Sequence, residues 1–177
     1  MRYAALLRGV NVGGRNKIAM AELRRILADL GCGDVVTLLQ SGNAIFTSEL
    51  PAATLEADIS AAIEAEAGLS VAVMVRTGAE LARATAAHPL GREPDNPARY
   101  FVAFLAAAPE RAAADRFAAL ELEPEQAWVG DREAYLWCPN GAADTRLTGA
   151  FVEKQLGVAA TARNWNTVGK LAALTAG

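Results

Sequence analysis

Histidine is all but missing from this 177-residue chain, where His88 is the single one. Any Ser-His-Asp constellation would have to pass through it, yet it precedes Pro89 in a polar stretch and reads as a surface residue. Cysteine is almost as scarce. Cys32 and Cys138 stand far apart, with no CxxC spacing and no nearby histidine, which excludes a zinc framework or redox pair and leaves two small apolar side chains. Lysine is rare beside arginine, a bias of base composition rather than of chemistry. No apolar run approaches the roughly 18 residues of a membrane-spanning helix. Met1-Arg2-Tyr3 leads straight into a strand-like run instead of a signal-peptide pattern, so a cytoplasmic location is expected.

What is present is an ordinary globular composition. With 53% apolar residues the chain can build a full core without disulfides or metal, as one domain or two small ones. Seventeen basic against 20 acidic side chains leave a formal charge of -3, which excludes non-specific coating of nucleic acid or anionic membrane. The charge is unevenly spread: residues 1–25 carry Arg2, Arg8, Arg15, Lys17, Arg24 and Arg25 against Glu22 alone, so one end is cationic.

Periodicity predicts a strand over 2–8, a helix over 20–31 with the stripe Met20, Leu23, Ile26, Leu27 and Leu30, strands over 35–40 and 43–48, a helix over 52–67, a strand over 70–76 and a helix over 78–87. Ser41-Gly42 marks the hairpin turn. Residues 89–97, with Gly91, Pro94 and Asn96, read as a linker. Beyond it the pattern repeats: strand 99–106, helix 109–120, strands 126–131 and 134–138, helix 145–156, strand 158–163 and a last helix from about 166. The expected fold is therefore α+β, two tandem ferredoxin-like βαββαβ plaits from an internal duplication, residues 1–88 and 98–177, packed as one compact unit. A weak echo supports duplication, with Thr77, Leu81 and Thr85 spaced like Thr167, Leu171 and Thr175. Strands that are apolar on both faces imply that the helix-free faces are covered, most simply by the other half.

Three polar segments are candidates for function. Residues 8–17 form a Gly- and Asn-rich loop beside a helix start, where N–H groups can converge on an anion. It lacks the Lys-Ser/Thr pair that follows the last glycine of a phosphate loop. In the expected topology the turn at 40–43 emerges from the same end, bringing Arg8, Asn11, Gly13, Gly14 and Lys17 beside Gln40, Ser41, Gly42 and Asn43. The competing reading makes both segments hydrogen-bonded structural turns. In the third, Arg163, Asn164, Trp165, Asn166 and Thr167 precede the last helix, with Asn166 or Thr167 as its N-cap and Trp165 as core anchor or stacking platform.

Together Arg8-Gly-Val-Asn-Val-Gly-Gly-Arg-Asn-Lys17, Met20-Ala-Glu-Leu-Arg24, Gln40-Ser-Gly-Asn43, the 163–167 segment and Lys170-Leu171 resemble the bacterial domain-of-unknown-function 1697 family. The resemblance implies no activity; it implies that the three polar segments are the family's hallmark.

Residues 1–21, 38–48 and 161–173 contain no Asp, Glu, His or Cys, so no metal or cofactor is expected and catalytic residues are unassigned. Only Tyr3 and Phe46 offer aromatic faces on the expected central strands, too few for RNA-recognition stacking. The expected function is binding of a phosphate-bearing small molecule or nucleotide through Arg8, Asn11, Gly13, Gly14, Lys17, Gln40, Ser41, Gly42, Asn43, Arg163, Asn164, Asn166 and Thr167. The alternatives are a metal-independent enzyme on a phosphorylated ligand, with Glu22, Ser41 or Thr167 moving protons, and a structural or protein-interaction module without a small ligand. Oligomeric state is not encoded in these patterns.

Overall fold

Apolar residues two apart in the strands and three or four apart in the helices set the architecture. The computed structural model describes residues 1–90 and 93–177, so Gly91 of the expected linker lies outside the described residues. The order is β1 (Arg2–Leu7), α1 (Met20–Asp29), β2 (Gly33–Leu38), β3 (Asn43–Thr47), α2 (Ala52–Ala67), β4 (Val73–Thr77), α3 (Gly78–Ala86), β5 (Tyr100–Leu105), α4 (Arg111–Ala118), β6 (Gln126–Val129), β7 (Glu133–Trp137), α5 (Gly149–Leu156), β8 (Ala160–Asn164) and α6 (Trp165–Thr175). Two four-stranded sheets result, β2-β3-β1-β4 and β6-β7-β5-β8, with antiparallel neighbours throughout. No helix among the described residues is long and apolar enough to cross a membrane.

The chain divides into two units, Met1–Arg83 with Leu171–Gly177, and Ala84–Lys170. In the first, Tyr3, Ala5, Leu7, Phe46, Val73 and Val75 face Leu23, Ile26 and Leu27 of α1 and Leu55, Ile59 and Ile63 of α2. In the second, Ala103, Leu105, Leu136 and Ala160 face Phe117 of α4 and Val152 and Leu156 of α5. The opposite faces, including Leu6, Ile45 and Met74 in one sheet and Tyr100, Val102 and Phe104 in the other, are buried as well.

The sheets share a register. Ala4 faces Arg76 across β1 and β4, and Val102 faces Arg163 across β5 and β8. Both arginines are buried, and each donates from Nη1 to the carbonyl of the preceding residue, Val75 O at 3.0 Å and Ala162 O at 2.9 Å. This register makes Asn164, rather than Thr167, the position equivalent to Thr77, so the Thr-Leu-Thr echo compares positions that do not align in it.

Element ends differ from expectation where caps and turns intervene. β2 stops at Leu38 because Leu39 has φ of +63°, outside the extended region. Thr148 caps α5 by accepting from Phe151 N at 3.2 Å, which shortens that helix to eight residues. Asn164, not Asn166 or Thr167, caps α6: its Oδ1 accepts from Thr167 N and Thr167 Oγ1, both at 3.0 Å.

Candidate functional site

Two glycines decide the first loop. Gly13 and Gly14 have φ of +57° and +75°, the left-handed values that both central residues of a type I′ hairpin turn require. Around them Val12 bridges Arg15, Arg15 N donates to Val12 O at 3.0 Å, and Asn11 N donates to Asn16 O at 3.1 Å. Residues 11–16 are thus a miniature hairpin whose tip glycines serve the turn.

The asparagines hold that hairpin in place. Asn11 Oδ1 accepts from Ile18 N at 3.0 Å, while its Nδ2 donates to Ile18 O at 2.9 Å and to Gln40 O at 2.7 Å. Asn16 Nδ2 donates to Gly9 O at 3.1 Å. In the neighbouring turn the fully buried Asn43 donates from Nδ2 to Leu38 O at 2.8 Å and Ser41 Oγ at 3.0 Å. Gly42 O accepts from Leu7 N at 2.9 Å, closing this turn onto β1.

The two segments therefore meet, through Asn11 and Gln40. Between them lies a concavity of about 400 Å³ lined by Asn11, Gly14, Lys17, Ile18, Ala19 and Gln40. Arg8, Gly13, Ser41, Gly42 and Asn43 do not line it. Asn43 is inside the fold, and Arg8 is exposed with its own N–H bonded to Ala72 O at 2.9 Å. Of the cationic N-terminal cluster, Arg24 donates to Thr37 Oγ1 at 2.6 Å and Arg25 pairs with Asp29 at 2.9 Å and with Glu66. Lys17 is the cation at the concavity.

Ala19 is the N-cap of α1 and offers no side-chain acceptor to the first-turn N–H groups. α1, with the positive end of its dipole, therefore begins next to the wall that Ala19 and Lys17 share. No carboxylate, imidazole or thiol lines the concavity, and Glu22 lies in the first turn of α1. Lys17 supplies the charged side chain of this lining. Among the described residues, no three His, Cys, Asp or Glu side chains group as metal ligands.

The third segment lies in the second unit, and contacts within that unit account for most of it. Arg163 is buried in β8 and donates to Thr161 Oγ1 at 2.6 Å; burial pushes its guanidinium down to about 10. Trp165 Nε1 donates to Glu93 Oε2 at 2.8 Å, and its ring lies 4.8 Å from that of His88 and 5.3 Å from that of Tyr100. Thr167 is buried beside its cap and Asn166 is exposed. His88 is half-buried in this aromatic cluster rather than on the surface, because Trp165 and Tyr100 close over it.

Two tyrosines there predict opposite responses. Tyr100 is fully buried and its hydroxyl has no partner, whereas Tyr135 donates to Ala84 O at 2.8 Å. Tyr100→Phe is expected to raise stability by about 1 kcal/mol, and Tyr135→Phe to lower it by about 1 kcal/mol by orphaning a carbonyl. Burial, then the neighbouring Glu133, pushes the Tyr135 phenol up to about 12. A folded value above the unfolded one, about 10, means that stability is full below pH 10 and drains away as pH rises toward 12. Urea midpoints from pH 8 to 12 check this: the decline should be shallower in Tyr135→Phe, and an equal decline sinks the assignment.

Comparison with known proteins adds a family and a fold. A sequence model of the family described as "Protein of unknown function (DUF1697)" matches residues 1–135, which contain the first two segments and stop before the third. No curated protein matches. Among solved structures the chain is similar to "conserved bacterial protein SP0830 from Streptococcus pneumoniae", at 24% identity with 98% of each chain covered and a TM-score of 0.72. That likeness is one of fold.

Proposed function

The chain belongs to the DUF1697 family, and from that premise we propose that it binds a phosphate- or carboxylate-bearing small molecule, such as a mononucleotide, in the concavity beside α1. The observation that carries the reading is the N-cap: Ala19 leaves the first-turn donors of a ten-residue helix uncapped at a wall shared with Lys17. An anion at that point satisfies the donors, the dipole and the ammonium together. The volume, about 400 Å³, falls in the range of small-molecule sites. The binding and structural readings then divide by residue: Asn11, Asn16 and Asn43 shape the walls, while Lys17 and the helix N-terminus contact the ligand.

The finer reading of the fold is also ours. The two halves, residues 1–88 and 98–177, are ferredoxin-like plaits related by duplication, supported by shared strand order and by Arg76 and Arg163 at matching register positions. A one-residue shift in either sheet would remove that support.

Thermal unfolding with inorganic phosphate and with a mononucleotide tests the binding proposal. A ligand at a hundred times its dissociation constant should stabilise the parent by about 2.7 kcal/mol. Lys17→Ala, at an exposed position, should keep its ligand-free midpoint and lose at least about tenfold in affinity. Equal stabilisation of both proteins, or of neither, refutes the site.

A further inference from the structure

The second unit contains an apolar cavity of about 250 Å³ on the helix side of its sheet. Its origin is visible in the shared register. Tyr3 pairs with Phe46 and Ala5 with Val75 in the first sheet; the matching pairs in the second are Phe101 with Leu136 and Ala103 with Ala162. Three of these four floor positions are therefore smaller in the second sheet, Phe101, Leu136 and Ala162. The roof is shorter too: α2 runs 16 residues and buries Leu55, Ile59 and Ile63, whereas α5 runs eight and buries Val152 and Leu156. One turn before Val152 stands Thr148, the helix cap, in place of a further apolar residue.

The lining restricts what can enter. Leu147 and Cys138 are buried in the cavity wall, while Ala142 and Gly149 are exposed and provide an opening. The polar groups there are already engaged. Thr145 Oγ1 bonds Glu125 and Cys138 Sγ and accepts from Leu147 N at 2.9 Å, and Thr148 Oγ1 accepts from Phe151 N. A charged ligand would lose its hydration and find no counter-charge, whereas an apolar one would gain by burial alone. An engineered cavity of about 150 Å³ takes benzene, so this larger one has room for a ring with a short side chain.

We propose that this cavity is a binding site for an uncharged, substituted monocyclic aromatic molecule, held against Phe101, Leu136 and Leu147 with Cys138 alongside. The site is independent of the anion concavity and uses none of its residues. Ala162→Ile, which enlarges the residue corresponding to Val75, fills the space that the ligand would occupy.

The test uses the full chain with ethylbenzene, indole and benzoate as probes. Ethylbenzene or indole should raise the melting midpoint of the parent saturably, while benzoate does not. Ala162→Ile should melt no lower than the parent and bind at least about tenfold more weakly. In the parent, the bound probe should slow alkylation of Cys138 by N-ethylmaleimide, followed by peptide mass spectrometry, and leave Cys32 unchanged. That readout decides the matter even where the variant fails to fold. No saturable shift, equal binding by the variant, equal stabilisation by benzoate, or equal protection of the two thiols overturns the proposal.

Discussion

Gly42→Ala is expected to lower the unfolding free energy by about 4 kcal/mol, from the left-handed backbone penalty and the overpacking it forces. Gly42 has φ of +77°, and a β-carbon there would lie 2.4 Å from Val10 Cγ2 and 2.9 Å from Leu7 Cβ. Neither neighbour can yield readily. Val10 and Leu7 are both buried in the core of the first unit, and the Gly42 carbonyl receives the Leu7 amide. Gly13→Ala is the matching control, because Gly13 also has positive φ, +57°, yet a β-carbon there meets nothing within 4 Å. It should cost about 1 kcal/mol, the backbone term alone. Urea midpoints with unchanged m-values would measure both. Should the two substitutions cost the same, close packing beneath the 39–42 turn is not what fixes that turn.

Asn11→Ala comes next, at about 3 kcal/mol from three hydrogen bonds worth about 1 kcal/mol each. The side chain serves both backbone groups of Ile18 and the carbonyl of Gln40. It also tolerates the φ of +54° better than alanine does. When neutral, Asn11→Asp keeps the acceptor and one O–H donor in place of two N–H donors, so it should fall between the parent and the alanine variant. Because Asn11 joins the two loops, the alanine variant should lose anion affinity along with stability. Lys17→Ala should lose affinity alone. Hydrogen exchange at the Ile18 amide is the local probe: strong acceleration in Asn11→Ala supports the tie, and unchanged protection with unchanged stability argues against it.

The order of elements was legible because strand and helix periodicities are local. Their ends were not, because Leu39, Thr148 and Asn164 set them by backbone sign or by a cap whose partner is chosen in three dimensions. Val12-Gly13-Gly14-Arg15 carries a readable hairpin signal, two glycines flanked by pairing residues, in keeping with the structural-turn reading of this loop. The role of Asn11 was hidden, since its partner at Gln40 lies on another turn. Ala19, by contrast, was open to view: a helix start lacking Ser, Thr, Asp or Asn is itself a sign of free donors. The burial of His88 is not legible in the sequence, because Trp165, whose ring packs against it at 4.8 Å, lies far along the chain. The shortened α5 left only a weak trace, as its eight residues continue a polar stretch that still reads as helical.

The central claim is that the uncapped start of α1 and Lys17 hold an anion. Its most direct measurement is a titration of the backbone amide resonances with inorganic phosphate at constant ionic strength. Saturable shifts are predicted at Gly14, Lys17, Ala19, Met20 and Ala21, abolished in Lys17→Ala. Shifts confined to residues outside this concavity, or none at all, would contradict the claim.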